Sequence, residues 1–109
     1  MTQDEVRQVA LSLPEAQEQP HFDRPSFRVA GKIFATLPPG GELVVLMLPI
    51  LVKESVLQTD PDAHVPLPGA WERSGSTQLR IGSMDKEKLA DLIRLAWRIK
   101  APKRLQSLA

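Results

Sequence analysis

The chain has 109 residues, of which 42% are hydrophobic and 25% charged, and these are ordinary values for one globular domain. It contains no cysteine, which excludes disulfides, and only two histidines, which leaves few ligands for a zinc site. The longest apolar run, residues 43–52, is too short to span a membrane. We therefore expect a single domain over residues 1–109, in a reducing cytoplasm, with no metal and no cofactor.

The net charge of +1 hides an asymmetry along the chain. Residues 1–20 hold four acidic side chains against one arginine, whereas residues 92–109 hold five basic side chains and no acid. A basic end on a nearly neutral protein indicates either an anionic partner or a solvated helix end, since cations favour helix C-termini.

The first element in chain order is a helix over residues 2–13. Thr2 and Glu5 match a capping box, and apolar side chains recur at helical spacing through Val6, Ala10 and Leu13. Pro14 ends this pattern, and residues 14–20 are polar, so we expect an irregular connection there.

Strand patterns follow. Residues 25–30 and 32–37 alternate around a turn at Gly31, and residues 42–48 form the most apolar segment of the chain. A short helix is expected over 50–60, then a proline-rich loop over 61–69 and two short strands over 70–74 and 77–81. The last long helix covers residues 85–100, capped by Ser83 or Asp85, with an apolar stripe that ends at Ile99.

This order of elements predicts an α+β fold. Strands joined by tight turns favour an antiparallel sheet of about five strands, and helices at both ends of the chain cover one face of it. The result is a two-layer domain with a twisted sheet.

Three segments carry a resemblance to a known family. They are His21 with residues 25–37, residues 70–77, and the C-terminal segment 85–105. Over nearly its whole length the sequence resembles the MmcQ/YjbR-like family of small bacterial proteins. The resemblance implies a frataxin-like sheet with packed helices, a fold that has also been likened to a double-wing DNA-binding domain.

Basic residues on the predicted hairpin point to a possible nucleic-acid surface. If Phe27 faces the core, alternation turns Arg28 to the open face of the sheet, and the same argument applies to Arg80. Two further cations, Arg24 at the strand entry and Lys32 at the turn, are expected beside them. Such a face would contact phosphates, while the alternative is a solvated surface with acidic neighbours across the strands.

The C-terminal helix end adds more cations, namely Lys100, Lys103 and Arg104. His21 lies at the start of the hairpin, where a histidine either binds an anion or supports the loop through a hydrogen bond. Together these residues predict a non-enzymatic protein, monomeric by default, that binds DNA with little or no sequence preference.

A second hypothesis stays open from the sequence. Phe22 and Trp71 are the aromatic residues that the predicted core does not absorb, and with His21 they would line a pocket for a small anionic ligand or a protein partner. No nucleophile, base and orienting group follow from the spacing of the strands, so we expect no catalytic residues.

Overall fold

A computed structural model describes residues 1–108. It contains four helices, α1 (Gln3–Ser12), α2 (Ile50–Thr59), α3 (Lys86–Lys100) and α4 (Lys103–Gln106), and five strands, β1 (Gln17–His21), β2 (Arg24–Val29), β3 (Lys32–Thr36), β4 (Leu43–Met47) and β5 (Ser76–Arg80). The predicted α+β fold is confirmed.

The sheet has the order β1-β2-β3-β4-β5, and every neighbouring pair is antiparallel. Helix α3 packs across β2, β3 and β4, and α1 packs against α3. The apolar core lies between these helices and one face of the sheet, so the other face is left to form a site.

Both long helices begin as the sequence indicates. Thr2 and Glu5 form the reciprocal capping box of α1, and the Asp85 carboxylate accepts the N–H of Lys88 at 3.0 Å as the N-cap of α3. Trp97 is fully buried, and its indole N–H donates to the carbonyl of Pro14 at 3.0 Å. The predicted stripe is wrong at its end, because Ile99 is exposed.

Two local predictions were wrong. Residues 17–21 form strand β1 and no irregular connection, and residues 69–71 form a 3-10 turn and no strand. Strand β1 is almost entirely exposed, because it forms one edge of the sheet and receives no apolar cover. It therefore carries no alternation of apolar residues that a sequence pattern could show, and its Pro20 is tolerated at an edge.

The spacing of apolar residues in helix α2 predicts a stripe that includes Leu51 and Val56, and of these two only Val56 is buried. Leu51 is 79% exposed, whereas Lys53 is only 4% exposed. The Lys53 ammonium donates to three backbone carbonyls, those of Glu72, Ser74 and Ser76, the last two at 3.0 and 2.7 Å. Because an ammonium group has three N–H donors, this arrangement satisfies the buried charge.

Candidate functional site

The sheet face opposite α1 and α3 is flanked by the turn between β1 and β2 and by residues 67–71, and we call it the concave face. One row of cross-strand neighbours on this face runs Gln19, Ser26, Thr36, Val45 and Gln78. Alternation along β2 places Ser26 on the same face as Arg28 and so predicts that it is accessible to solvent, but it is fully buried, and its hydroxyl donates to the carbonyl of Gln19 at 2.8 Å. Phe27 is buried on the helical side and Arg28 is half-buried, so the predicted alternation of β2 holds.

A cavity of about 370 Å³ lies on this face. Its floor is formed by Thr36, Val45, Met47 and Ser76. One wall is the turn between β1 and β2, and the other is the segment Leu67, Pro68 and Trp71. The volume falls in the range of small-molecule sites, and most of the lining is apolar.

The cavity runs diagonally across the sheet. It joins His21 and Arg24, at one end of β1 and β2, to Met47 and Ser76, at the other end of β4 and β5. The strand register puts these two groups at diagonally opposite corners of the sheet.

The wall that carries Trp71 is fixed from behind by Glu72. The Glu72 carboxylate accepts the N–H of Leu67 at 3.0 Å and lies 3.7 Å from the Lys53 ammonium. His64 Nε2 lies 2.7 Å from Glu72 Oε2, an ion pair when the imidazole is protonated, although the approach lacks the alignment of a hydrogen bond. Burial raises the pKa of Glu72, but Leu67, Lys53 and His64 outweigh it, and the pKa lies below its usual value.

The opposite wall is the two-residue turn Phe22–Asp23, between the paired residues His21 and Arg24. Asp23 accepts from Arg24 Nε at 2.9 Å, and this hydrogen bond is the main cause that lowers the pKa of Asp23. Within residues 1–108 the imidazole of His21 makes an edge-on ring contact with Phe22 and no hydrogen bond.

The basic residues expected on this face lie far apart. Arg28 is near one end of β2, and Arg80 is at the opposite end of β5, so they lie at the other two, diagonally opposite corners of the sheet. Strand spacing and rise put their backbones about 20 Å apart. Each also has a local partner, since Arg28 Nε donates to the Ser26 hydroxyl and Arg80 to the carbonyl of Asp62.

The other predicted cations belong to the opposite side of the domain. Lys32 is the cross-strand partner of the buried Val29, and so it shares the helical side and not the side of Arg28. Lys100 ends α3, and Lys103 and Arg104 begin α4, in the helical layer. Arg104 is bound to both carboxylate oxygens of Glu15, at 2.7 and 3.0 Å.

The structure therefore brings together His21, Phe22, Trp71 and Arg24, and it separates the remaining basic residues. Sequence reasoning missed the floor of the cavity, because Thr36, Val45 and Ser76 read as ordinary strand positions. A signal was available in β4, which is apolar at every position and so predicts cover on both faces.

Two kinds of feature are absent from residues 1–108. Among them, no group of three or more histidine, cysteine or acidic side chains is placed to hold a metal ion. No helix formed by these residues has the length and hydropathy needed to cross a membrane.

Comparisons with known proteins agree with the fold. A family model described as YjbR matches residues 11–99. The crystal structure of Deinococcus radiodurans protein DR2400, with the family-model domain DUF419, is similar at a TM-score of 0.77 and 19% sequence identity. This likeness covers 98% of the present chain and 86% of that chain, and at such identity it shows a shared fold. Among curated proteins, no sequence matches the chain.

Proposed function

The chain belongs to the YjbR family, and within that family we propose that it is a small-molecule binding module without catalytic activity of its own. The observation that carries the proposal is the cavity on the concave sheet face, bordered by two aromatic side chains that the fold leaves exposed. Trp71 is 64% exposed and Phe22 is 96% exposed. Large aromatic side chains kept out of the core beside a preformed cavity are typical of ligand sites.

Rigidity of the site supports the same proposal. The floor consists of central strand residues, and the Trp71 wall is held by Glu72 and by the buried Lys53. A wall fixed before binding reduces the entropy lost on association, which favours affinity from a small contact area. The chain has no cysteine, which suits the reducing cytoplasm in which we place this module.

DNA binding through phosphates stays a prediction as the second candidate. Several cations on one surface would be needed to contact several phosphates at once. Arg28 and Arg80 lie at opposite corners of the concave face, and the helical layer carries Lys103. This dispersal favours the cavity over the DNA surface as the functional site.

The proposed function is tested by isothermal titration calorimetry with 2-naphthol and its saturated analogue decahydro-2-naphthol, two compounds small enough for the cavity. We expect the wild-type protein to bind at least one of them and Trp71→Ala to weaken that binding about tenfold, because one wall is lost. Leu51→Ala is the matched control, since it removes another exposed apolar side chain outside the cavity. If neither compound binds, or if both variants bind alike, the proposal is wrong.

A further inference from the structure

We propose that the cavity takes a flat, uncharged aromatic ring, which lies between Phe22 and Trp71. This inference rests on the proposed function and names the class of ligand. Its main support is that an exposed phenylalanine, Phe22, occupies a turn position whose positive φ favours glycine.

Phe22 occupies an unfavourable position for its residue type. Its φ of 57° lies in the left-handed region, where a bulky side chain is uncommon and glycine is favoured. It is also the first central residue of a two-residue hairpin, a position that favours glycine, asparagine or aspartate. A residue held there costs free energy that the surrounding structure must offset.

Burial does not offset this cost, because the Phe22 side chain is 96% exposed. The ring contacts His21 edge-on, with centroids 4.7 Å apart and an interplanar angle of 67°. The ring therefore lies at the cavity rim with most of its surface open to solvent. An aromatic ring that gains nothing from the core, held at the mouth of a cavity, is suited to contact a second ring.

The facing wall supplies a second aromatic surface. Trp71 is exposed on the loop that Glu72 fixes, and it lines the same cavity as Phe22. Two aromatic side chains on opposite walls favour a flat ligand over a saturated one, because stacked and edge-to-face arrangements require a π system on both partners.

Charge in the cavity argues for a neutral ring. Arg24 is the cation of the lining, and its guanidinium is already bound to the Asp23 carboxylate at 2.9 Å. The hydrogen bond from Arg24 lowers the pKa of Asp23, so the carboxylate stays ionised near neutral pH and its charge cancels that of Arg24. The hydroxyls of Thr36 and Ser76 on the floor suit one polar substituent on the ring.

The experiment compares three ligands that share a ten-carbon bicyclic framework. They are 2-naphthol, decahydro-2-naphthol, which is neither flat nor aromatic, and 2-naphthoate, which carries a negative charge. We expect wild-type protein to bind 2-naphthol most tightly by calorimetry. Phe22→Gly should weaken the binding of 2-naphthol about two- to tenfold, which corresponds to the free energy of one aromatic pair. The affinity for decahydro-2-naphthol should stay nearly unchanged. Phe22→Leu is the matched variant that keeps apolar bulk without a π system.

A thermal melt gives an independent readout. Phe22→Gly should unfold at the same temperature as wild type or higher, because glycine adopts a positive φ at little cost. A Tm several degrees lower would assign Phe22 to the fold and overturn the inference. Equal binding of 2-naphthol and decahydro-2-naphthol, or tighter binding of 2-naphthoate, would also overturn it while leaving the proposed function intact. If no compound binds wild-type protein, the proposed function itself falls.

Discussion

The Glu72 carboxylate accepts the backbone N–H of Leu67 at 3.0 Å, and through this hydrogen bond it fixes the loop that carries Trp71. The same carboxylate faces the buried Lys53 ammonium, so one acidic side chain connects the cavity wall to helix α2.

Removing this carboxylate should loosen the wall without unfolding the domain. We expect Glu72→Ala to lower the free energy of unfolding by about 1–3 kcal/mol, because the Leu67 N–H and the Lys53 ammonium lose a partner. The amide of Leu67 should exchange with deuterium faster. Glu54→Ala, at an exposed position of α2, is the control. Unchanged exchange at Leu67 would mean that Glu72 does not hold the loop.

Ionisation of Asp60 should cause part of the pH dependence of the unfolding free energy. Hydrogen bonds from Lys88 and Thr59 lower the pKa of Asp60 below its usual 3.8. The ionised Asp60 therefore contributes its full stabilisation at pH values above the pKa that it has in the unfolded chain. This stabilisation is lost as the pH falls through the lower pKa of the folded protein. Asp60→Asn should lower the unfolding free energy by roughly 1 kcal/mol at pH 7, and the difference from wild type should vanish in acid.

The measurement is a set of thermal or urea melts between pH 2 and pH 7. Asp91→Asn serves as the comparison, because Asp91 pairs with Arg94 on the exposed side of α3. This account would be contradicted if the difference in unfolding free energy between Asp60→Asn and wild type were the same at the lowest pH as at pH 7.

Any side chain at position 75 should clash with the neighbouring backbone. A Cβ at this position would lie 2.3 Å from the carbonyl oxygen of Leu48, and backbone on both sides prevents an easy shift. Leu48 also donates its N–H to the carbonyl of Gly75 at 2.9 Å. We expect Gly75→Ala to destabilise by several kcal/mol, in the range of strongly destabilising point mutations. Gly82→Ala, where a Cβ meets nothing within 4 Å, should have little effect in the same urea titration.

Salt dependence tests the DNA candidate. With Arg28 and Arg80 at opposite corners and Lys32 on the helical side, few phosphates can be contacted at once. By fluorescence anisotropy, the slope of log K against log salt for duplex DNA should be no steeper than about −2, since each phosphate contributes about −0.9. Arg28→Glu with Lys32→Glu should leave Tm nearly unchanged. A slope near −5 that this double variant abolishes would restore the hairpin as a DNA surface.

Much of the fold could be predicted from patterns that repeat. Burial on one face of a helix or strand follows from the spacing of apolar residues alone. The stripe of α3 through Leu92 and the alternation of Phe27 and Val29 in β2 show such spacing. Ile99 has the right spacing but is 41% exposed near the end of the helix. Strand β1 was missed because an edge strand exposed on both faces has no apolar pattern to recognise.

The candidate site was harder, because it depends on tertiary geometry. Lys53 reads as a surface residue until the loop from Glu72 to Ser76 supplies its carbonyl acceptors. Alternation places Arg28 and Arg80 correctly on one face, but it contains no information on strand order and register, which put the two at opposite corners of the sheet. The aromatic residues Phe22 and Trp71 were identified by elimination, since the core pattern had no place for them.

The most direct test of the central claim is a two-dimensional ¹H–¹⁵N NMR titration of the wild-type protein with 2-naphthol. Binding in the cavity predicts saturable shifts that cluster at the backbone amides of Thr36, Val45 and Ser76 and at the indole N–H of Trp71. The indole of Trp97, buried in the helical layer, is the internal control and should not move. An absence of saturable shifts, or shifts centred on α1 and α3, would contradict the assignment of the concave sheet face as the binding site.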